Sequence, residues 1–124
     1  MKISDFKKAP IEQLVSHYIE AAAQHRTVSA VGDHHDADKI STVLNTLYRE
    51  MVRRGKQAQQ TLLALTSHDD PAVRLWAARH SMDFAPQKAA LVLKQLTKSG
   101  GIISMDAATA LREWQHGQTE ANHE

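Results

Sequence analysis

Cysteine does not occur among the 124 residues. Its absence excludes disulfides, thiolate metal sites and cysteine nucleophiles, and it removes the usual signature of an oxidising compartment. No run approaches the roughly 18 apolar residues that a membrane-spanning helix requires. The N-terminus, "MKISDFKKAPIEQL", carries charges throughout and lacks the continuous apolar segment of a secretion signal. A cytoplasmic protein without a membrane partner is therefore expected. An excess of one sign of charge is missing too: 15 Lys and Arg against 14 Asp and Glu leave a formal charge of +1. No global field calls for nucleic acid or an anionic surface, so an electrostatic partner has to be read locally.

Strand-like alternation of β-branched residues is almost absent, whereas apolar residues recur at offsets of three and four along most of the chain. The expected class is all-α, in one domain over residues 1–116, with an unfolded polar tail over 117–124. Pro10 suits the first turn of a helix carrying Ile11, Leu14, Val15, Tyr18, Ile19 and Ala22 and ending near Arg26. The cleanest stripe is Ile40, Val43, Leu44, Leu47, Tyr48, Met51 and Val52. It predicts a long helix over about 33–54, stopped by Gly55. A third helix holds Ala58, Leu62, Leu63 and Leu65. The "SHDDP" break follows, with Asp69 or Asp70 as cap and Pro71 in the next first turn. Val73, Trp76, Ala77 and Phe84 then give a fourth helix its inner face. Pro86 opens a fifth through Ala89, Leu93 and Leu96 to Gly100 and Gly101, and Ser104 is the expected cap of a sixth with Ala107, Ala108, Leu111 and Trp114.

A weak repeat of about 30 residues underlies these segments, the range of stacked helical hairpins. Ala77–Ala78 matches Ala107–Ala108, Val73 matches Ile103, and Leu62–Leu63 matches Val92–Leu93. Paired alanines let helices approach closely, which is why they recur where a hairpin crosses its neighbour. Within this repeat, "LLALTSHDDPAVRLWAAR", residues 62–79, resembles a HEAT-type unit: a leucine-bearing helix, an Asp-Pro turn, then Val-Arg and Ala-Ala. The resemblance implies a structural role for Asp69 or Asp70 with Arg74, joining turn and helices by charge-assisted hydrogen bonds. Together with "LVSHYIEAA", "YREMVRRG" and "APQKAALVLKQL…GG", it extends over about residues 10–116. Over that length the chain is similar to a small bacterial family of HEAT-like proteins, a domain of unknown function. This chain departs from that pattern at His80 and Ser81, where the family has small or aliphatic residues. Some members look like immunity proteins encoded beside polymorphic toxins. The likeness thus implies a long antiparallel helix pair followed by HEAT-like hairpins in an α-α superhelix, and a binding role without chemistry of its own.

Three clusters carry candidate chemistry. "VGDHHDAD", residues 31–38, sets His34 and His35 among Asp33, Asp36 and Asp38. Either His34 or His35 with Asp38 has spacing suited to a metal, but a third ligand must come from elsewhere. The plainer reading makes Asp33 a helix cap and puts Asp36 and Asp38 in a first turn that favours carboxylates. Stepping back from Ile40 by four and seven reaches Asp36 and Asp33, so the apolar stripe runs on into carboxylates, an edge suited to a cationic protein. "YREMVRRGK", residues 48–56, gathers Arg49, Arg53, Arg54 and Lys56, which are potential phosphate contacts or simply cations favoured at a helix C-terminus. His80 shares a face with Val73, Ala77 and Phe84. With no nucleophile or second base assignable to it, it reads as a core histidine on a backbone partner. Core packing is also the expectation for Trp76 and Trp114.

The expected function is therefore protein binding, most concretely as a bacterial antitoxin or immunity protein covering a toxin's active site, possible nucleases included. Asp33, Asp36 and Asp38 would then mimic phosphates. Nucleic-acid binding through Arg49 to Lys56 is the alternative, and metal-dependent hydrolysis at His34, His35 and Asp38 the third. No cofactor, resident metal or catalytic residue is assigned, because no paired carboxylates, activated nucleophile or glycine-rich phosphate loop is evident.

Overall fold

A computed structural model describes residues 2–122, with side chains through residue 117. Among these residues the chain is helical throughout, with no strand. The α-helices are α1 (Ile11–Ala30), α2 (His34–Arg53), α3 (Lys56–Ala64), α4 (Pro71–Ser81), α5 (Pro86–Leu96) and α6 (Gly101–Asn122), with 3-10 turns at Ile3–Lys8 and Leu65–Ser67. Of the expected tail, residues 123 and 124 lie outside the described residues. The helical backbone of α6 continues past Gly117 to Asn122.

Helix boundaries follow local chemistry. Asp33 accepts the Asp36 N–H at 3.0 Å and caps α2. Asp70 accepts the Ala72 N–H at 2.9 Å and caps α4, with Pro71 in the first turn, where it has no N–H to leave unpaired. Gly55, at φ +101°, turns the chain between α2 and α3 in a conformation that side chains rarely adopt. Three boundaries differ from expectation. α1 runs one turn beyond Arg26 to Ala30, its polar end held by Thr27 donating to the Ala23 carbonyl at 3.2 Å. α6 begins at Gly101, so Ser104 lies within its first turn and donates to the Thr97 carbonyl at 2.5 Å instead of capping the helix. Phe84 falls in the turn after α4 and packs, half-buried, on the core.

The packing has two centres that share one helix. α1 lies along α2, α4 packs against α1, α3 and α5, and α5 lies along α6. The first core cluster joins Phe6, Leu14, Tyr18, Leu44, Leu47, Met51, Leu62 and, from α4, Val73, Trp76 and Ala77. The second joins Leu93, Leu96, Ala107 and Leu111 with Leu75 and Ala78 of α4. Ala77 and Ala78, both with 0% exposure, therefore face opposite cores, and only methyl-sized side chains let α4 approach both sets of neighbours. The 30-residue match is partial in burial: Ala77 and Ala107 are both fully buried, but Leu62 pairs in sequence with half-buried Val92.

Arg54 ties the N-terminus to this body. Its Nε donates to Glu50 at 2.8 Å, and one terminal nitrogen reaches the carbonyls of Phe6, Lys7 and Ala9 at 3.0, 3.3 and 2.6 Å. Arg53 donates to the same carboxylate at 3.0 and 2.5 Å. Those guanidinium hydrogen bonds, Arg53 foremost, hold the buried Glu50 carboxyl below its ordinary range against the opposing effect of burial. Lysine cannot serve a carboxylate and three carbonyls with one planar fork. Arg54→Lys is expected to lower stability by about 1–3 kcal/mol in urea unfolding, since several carbonyls and part of a buried carboxylate lose their donor. Unchanged stability would show that the fork is dispensable.

Candidate functional site

A cleft of about 600 Å³ opens where α4 meets α1, α2 and α6. Its floor is His80, at the C-terminal end of α4, with an exposure of 8%. Nδ1 of His80 lies 2.7 Å from the Tyr18 hydroxyl, and Nε2 lies 2.8 Å from Oδ1 of Asn45. An amide oxygen only accepts, so Nε2 carries the proton and Nδ1 accepts the Tyr18 O–H. Tyr48 stacks on the imidazole with centroids 4.3 Å apart and planes 5° from parallel, and it donates its own hydroxyl to Asp83. Trp76 lies 5.6 Å away. The expected backbone partner of His80 is thus replaced by two side chains from α1 and α2. Burial, helped by the charges of Arg79 and Arg49, holds the ring neutral and pushes its pKa down to about 3. Burial likewise pushes the Tyr18 hydroxyl well above the ordinary phenol value. Next to His80, Ser81 is fully buried and its hydroxyl oxygen has no hydrogen-bond partner among the described residues.

The walls are more polar. His25 meets Trp76 edge to face at 5.0 Å, and the Arg79 guanidinium sits 4.8 Å above the centroid of the Trp76 ring. Asp106, Ala110, Glu113 and Trp114 line the α6 side, with Ser41 and Asn45 opposite. Burial lowers the pKa of His25, while the charges of Asp106 and Asp38 act in the opposite direction. Trp76 is buried as expected, and Trp114 packs, half-buried, on the second core while also bordering the cleft.

The clusters singled out in the sequence lie elsewhere or are differently engaged. His34, His35, Asp36 and Asp38 are exposed and Asp33 is half-buried, at the solvent-facing start of α2. The buried stripe enters that turn through Ala37, not Asp36, so the carboxylates flank the apolar face instead of continuing it. Among the described residues no group of three potential ligands is positioned to hold a metal ion. The Asp36 N–H holds the Asp33 carboxyl below its usual range. In the basic segment, Glu50 engages Arg53 and Arg54, leaving Arg49 and Lys56 exposed without an ion pair among the described residues. The Asp-Pro turn is clasped by another residue than expected: Asp70 pairs with Arg26 of α1 at 2.9 Å, and Nε of Arg74 is buried without a hydrogen-bond partner among the described residues. Asp69 is exposed. Sequence reading missed the cleft because its residues come from four helices. The one available signal was Asp106, Ala110, Glu113 and Trp114 recurring at offsets of four, seven and eight, the spacing of a single helix face.

All-helical architecture is the class these observations define, and no helix among the described residues is long and apolar enough to cross a membrane. The chain belongs to the family described as "Domain of unknown function (DUF2019)", which matches residues 12–114. No curated protein and no solved structure matches it.

Neutral His80 makes stability depend on pH. Below about 6.5 the unfolded chain takes up a proton that the folded chain refuses until about 3, so stability falls as pH drops through that window. His17 and His25, also lowered by burial, add in the same direction. His80→Gln is expected to be less stable at pH 7 but to lose less stability between pH 6 and 5, the difference approaching about 1 kcal/mol per pH unit. In the unmodified chain, imidazole NMR should show His80 neutral at pH 5. Titration near 6.5 would contradict the buried, doubly hydrogen-bonded ring.

Proposed function

We propose that this protein is a non-catalytic binding module for another protein, in its most concrete form a cytoplasmic antitoxin or immunity protein that blocks a cognate bacterial toxin. On this reading α3–α4 and α5–α6 are HEAT-like hairpins that follow the α1–α2 pair. The observation that carries it is the engagement of His80. The most perturbed titratable group at the cleft has one ring nitrogen on Tyr18 and the other on Asn45, which leaves neither free to move a substrate proton. A binding cleft needs rigid walls and fixed charges, and this network supplies rigidity. The engagement of Arg53 and Arg54 by Glu50 supports a protein partner over nucleic acid, because it takes up two of the four cations available for phosphates.

The exposed start of α2 is the element suited to steering. Three carboxylates within six residues favour encounter with a basic active site. The experiment is association kinetics with the product of a toxin-like gene adjacent to this one. Changing Asp33, Asp36 and Asp38 together to asparagine preserves the helix cap, since asparagine caps as well as aspartate. The association rate at low salt is expected to fall about tenfold or more, with little change in dissociation. Unchanged affinity and rate would remove these aspartates from the interface.

A further inference from the structure

The α6 wall of the cleft has the spacing of a core face but the chemistry of a receptor. Asp106, Ala110, Glu113 and Trp114 all line the cleft, and Ala110 and Trp114 also pack, partly buried, on the second core. Among the described residues neither Asp106 nor Glu113 forms an ion pair. Against these two carboxylates stands the Arg79 guanidinium, while His25 is biased toward neutrality by burial. The local charge is therefore negative, although the chain as a whole is +1.

The cleft also shows which cation suits it. The Arg79 guanidinium already sits over one indole, Trp76, at 4.8 Å. The second indole, Trp114, borders the same space half-buried and has no ring partner among the described residues. A planar guanidinium stacks on an indole and offers donors in its own plane to carboxylates beside it, which an ammonium cannot do as well. A volume of about 600 Å³ accommodates more than one side chain of a docked segment.

We infer that this cleft receives an arginine-bearing segment of a partner protein, the guanidinium stacking on Trp114 and donating to Asp106 and Glu113. The assignment rests on the protein-binding reading above and gives the partner's chemistry. It places the contact that outlasts encounter in the cleft and leaves the aspartates of α2 to guide approach.

The two tryptophans of the chain both line the cleft, so intrinsic tryptophan emission reports on it directly. Acetylated, amidated tetra-arginine is expected to change that emission saturably, with tetra-lysine at least about threefold weaker and tetra-glutamate without effect. Asp106→Asn with Glu113→Gln should weaken tetra-arginine about tenfold or more at unchanged helicity and thermal midpoint, whereas the triple asparagine variant of α2 should weaken it far less. Equal responses to tetra-glutamate, no response to tetra-arginine, or undiminished affinity in the Asp106→Asn, Glu113→Gln chain would each overturn the assignment. A toxin partner held equally well by that double variant would also overturn it, while leaving the protein-binding reading standing.

Discussion

The fold depends on a helix that must be buried on opposite sides. α4 has only 11 residues, yet Ala72, Val73, Leu75, Trp76, Ala77, Ala78, His80 and Ser81 are all buried. Val73, Trp76 and Ala77 complete the core with α1, α2 and α3, while Leu75 and Ala78 complete the core with α5 and α6. Neither half closes without it. Larger side chains at the adjacent alanines would push one set of helices away, and a polar side would leave one core open to water. The Asp70 cap and its bond to Arg26 set where α4 begins relative to α1.

The other end of α4 carries the cost of this arrangement. Its last turn is also enclosed, and the residues there are histidine and serine. A buried imidazole is tolerable only when neutral and hydrogen-bonded. Tyr18 and Asn45 meet that requirement from two different helices, so the polar group that interrupts the apolar face also fixes α1 and α2 against α4. Among the described residues Ser81 has no such partner for its hydroxyl. The cleft lies directly above this clamp, between α2 and α6, which do not close over it. A rigid floor and an open, acidic, aromatic wall thus have one origin in the way α4 is shared.

Much of the architecture was legible because it rests on local signals. The Asp33 and Asp70 caps, Pro71, Pro86 and Gly55 mark boundaries by properties of single residues, and the stripe from Ile40 to Val52 reports a helix face directly. The alanine pair was legible as a close crossing, though not as the junction of two cores. Less was readable at the site. Which arginine would meet Asp70 depended on where α1 ends, and Arg26 reaches it because α1 continues to Ala30. Asp36 seemed in phase with Ile40, but a shift of one position puts Ala37 inside and Asp36 in water. The His80 clamp joins residues 62 and 35 positions apart, a relation that no periodicity contains.

The cationic segment beyond α2 illustrates the same limit from the other direction. Read along the chain, it is a basic patch, but in three dimensions Arg54 is an internal brace that joins Glu50 to the carbonyls of the N-terminal turn. What stays open to solvent is an acidic helix start and an acidic, indole-lined cleft on a body held together through α4. Native-state hydrogen exchange tests that dependence most directly. If α4 completes both cores, its amides exchange only through global unfolding, and the protected amides of α2 and α5 share the same free energy and denaturant dependence. Opening of α5 and α6 at a distinctly lower free energy, with α1 to α4 still protected, would contradict a structure built on one shared helix.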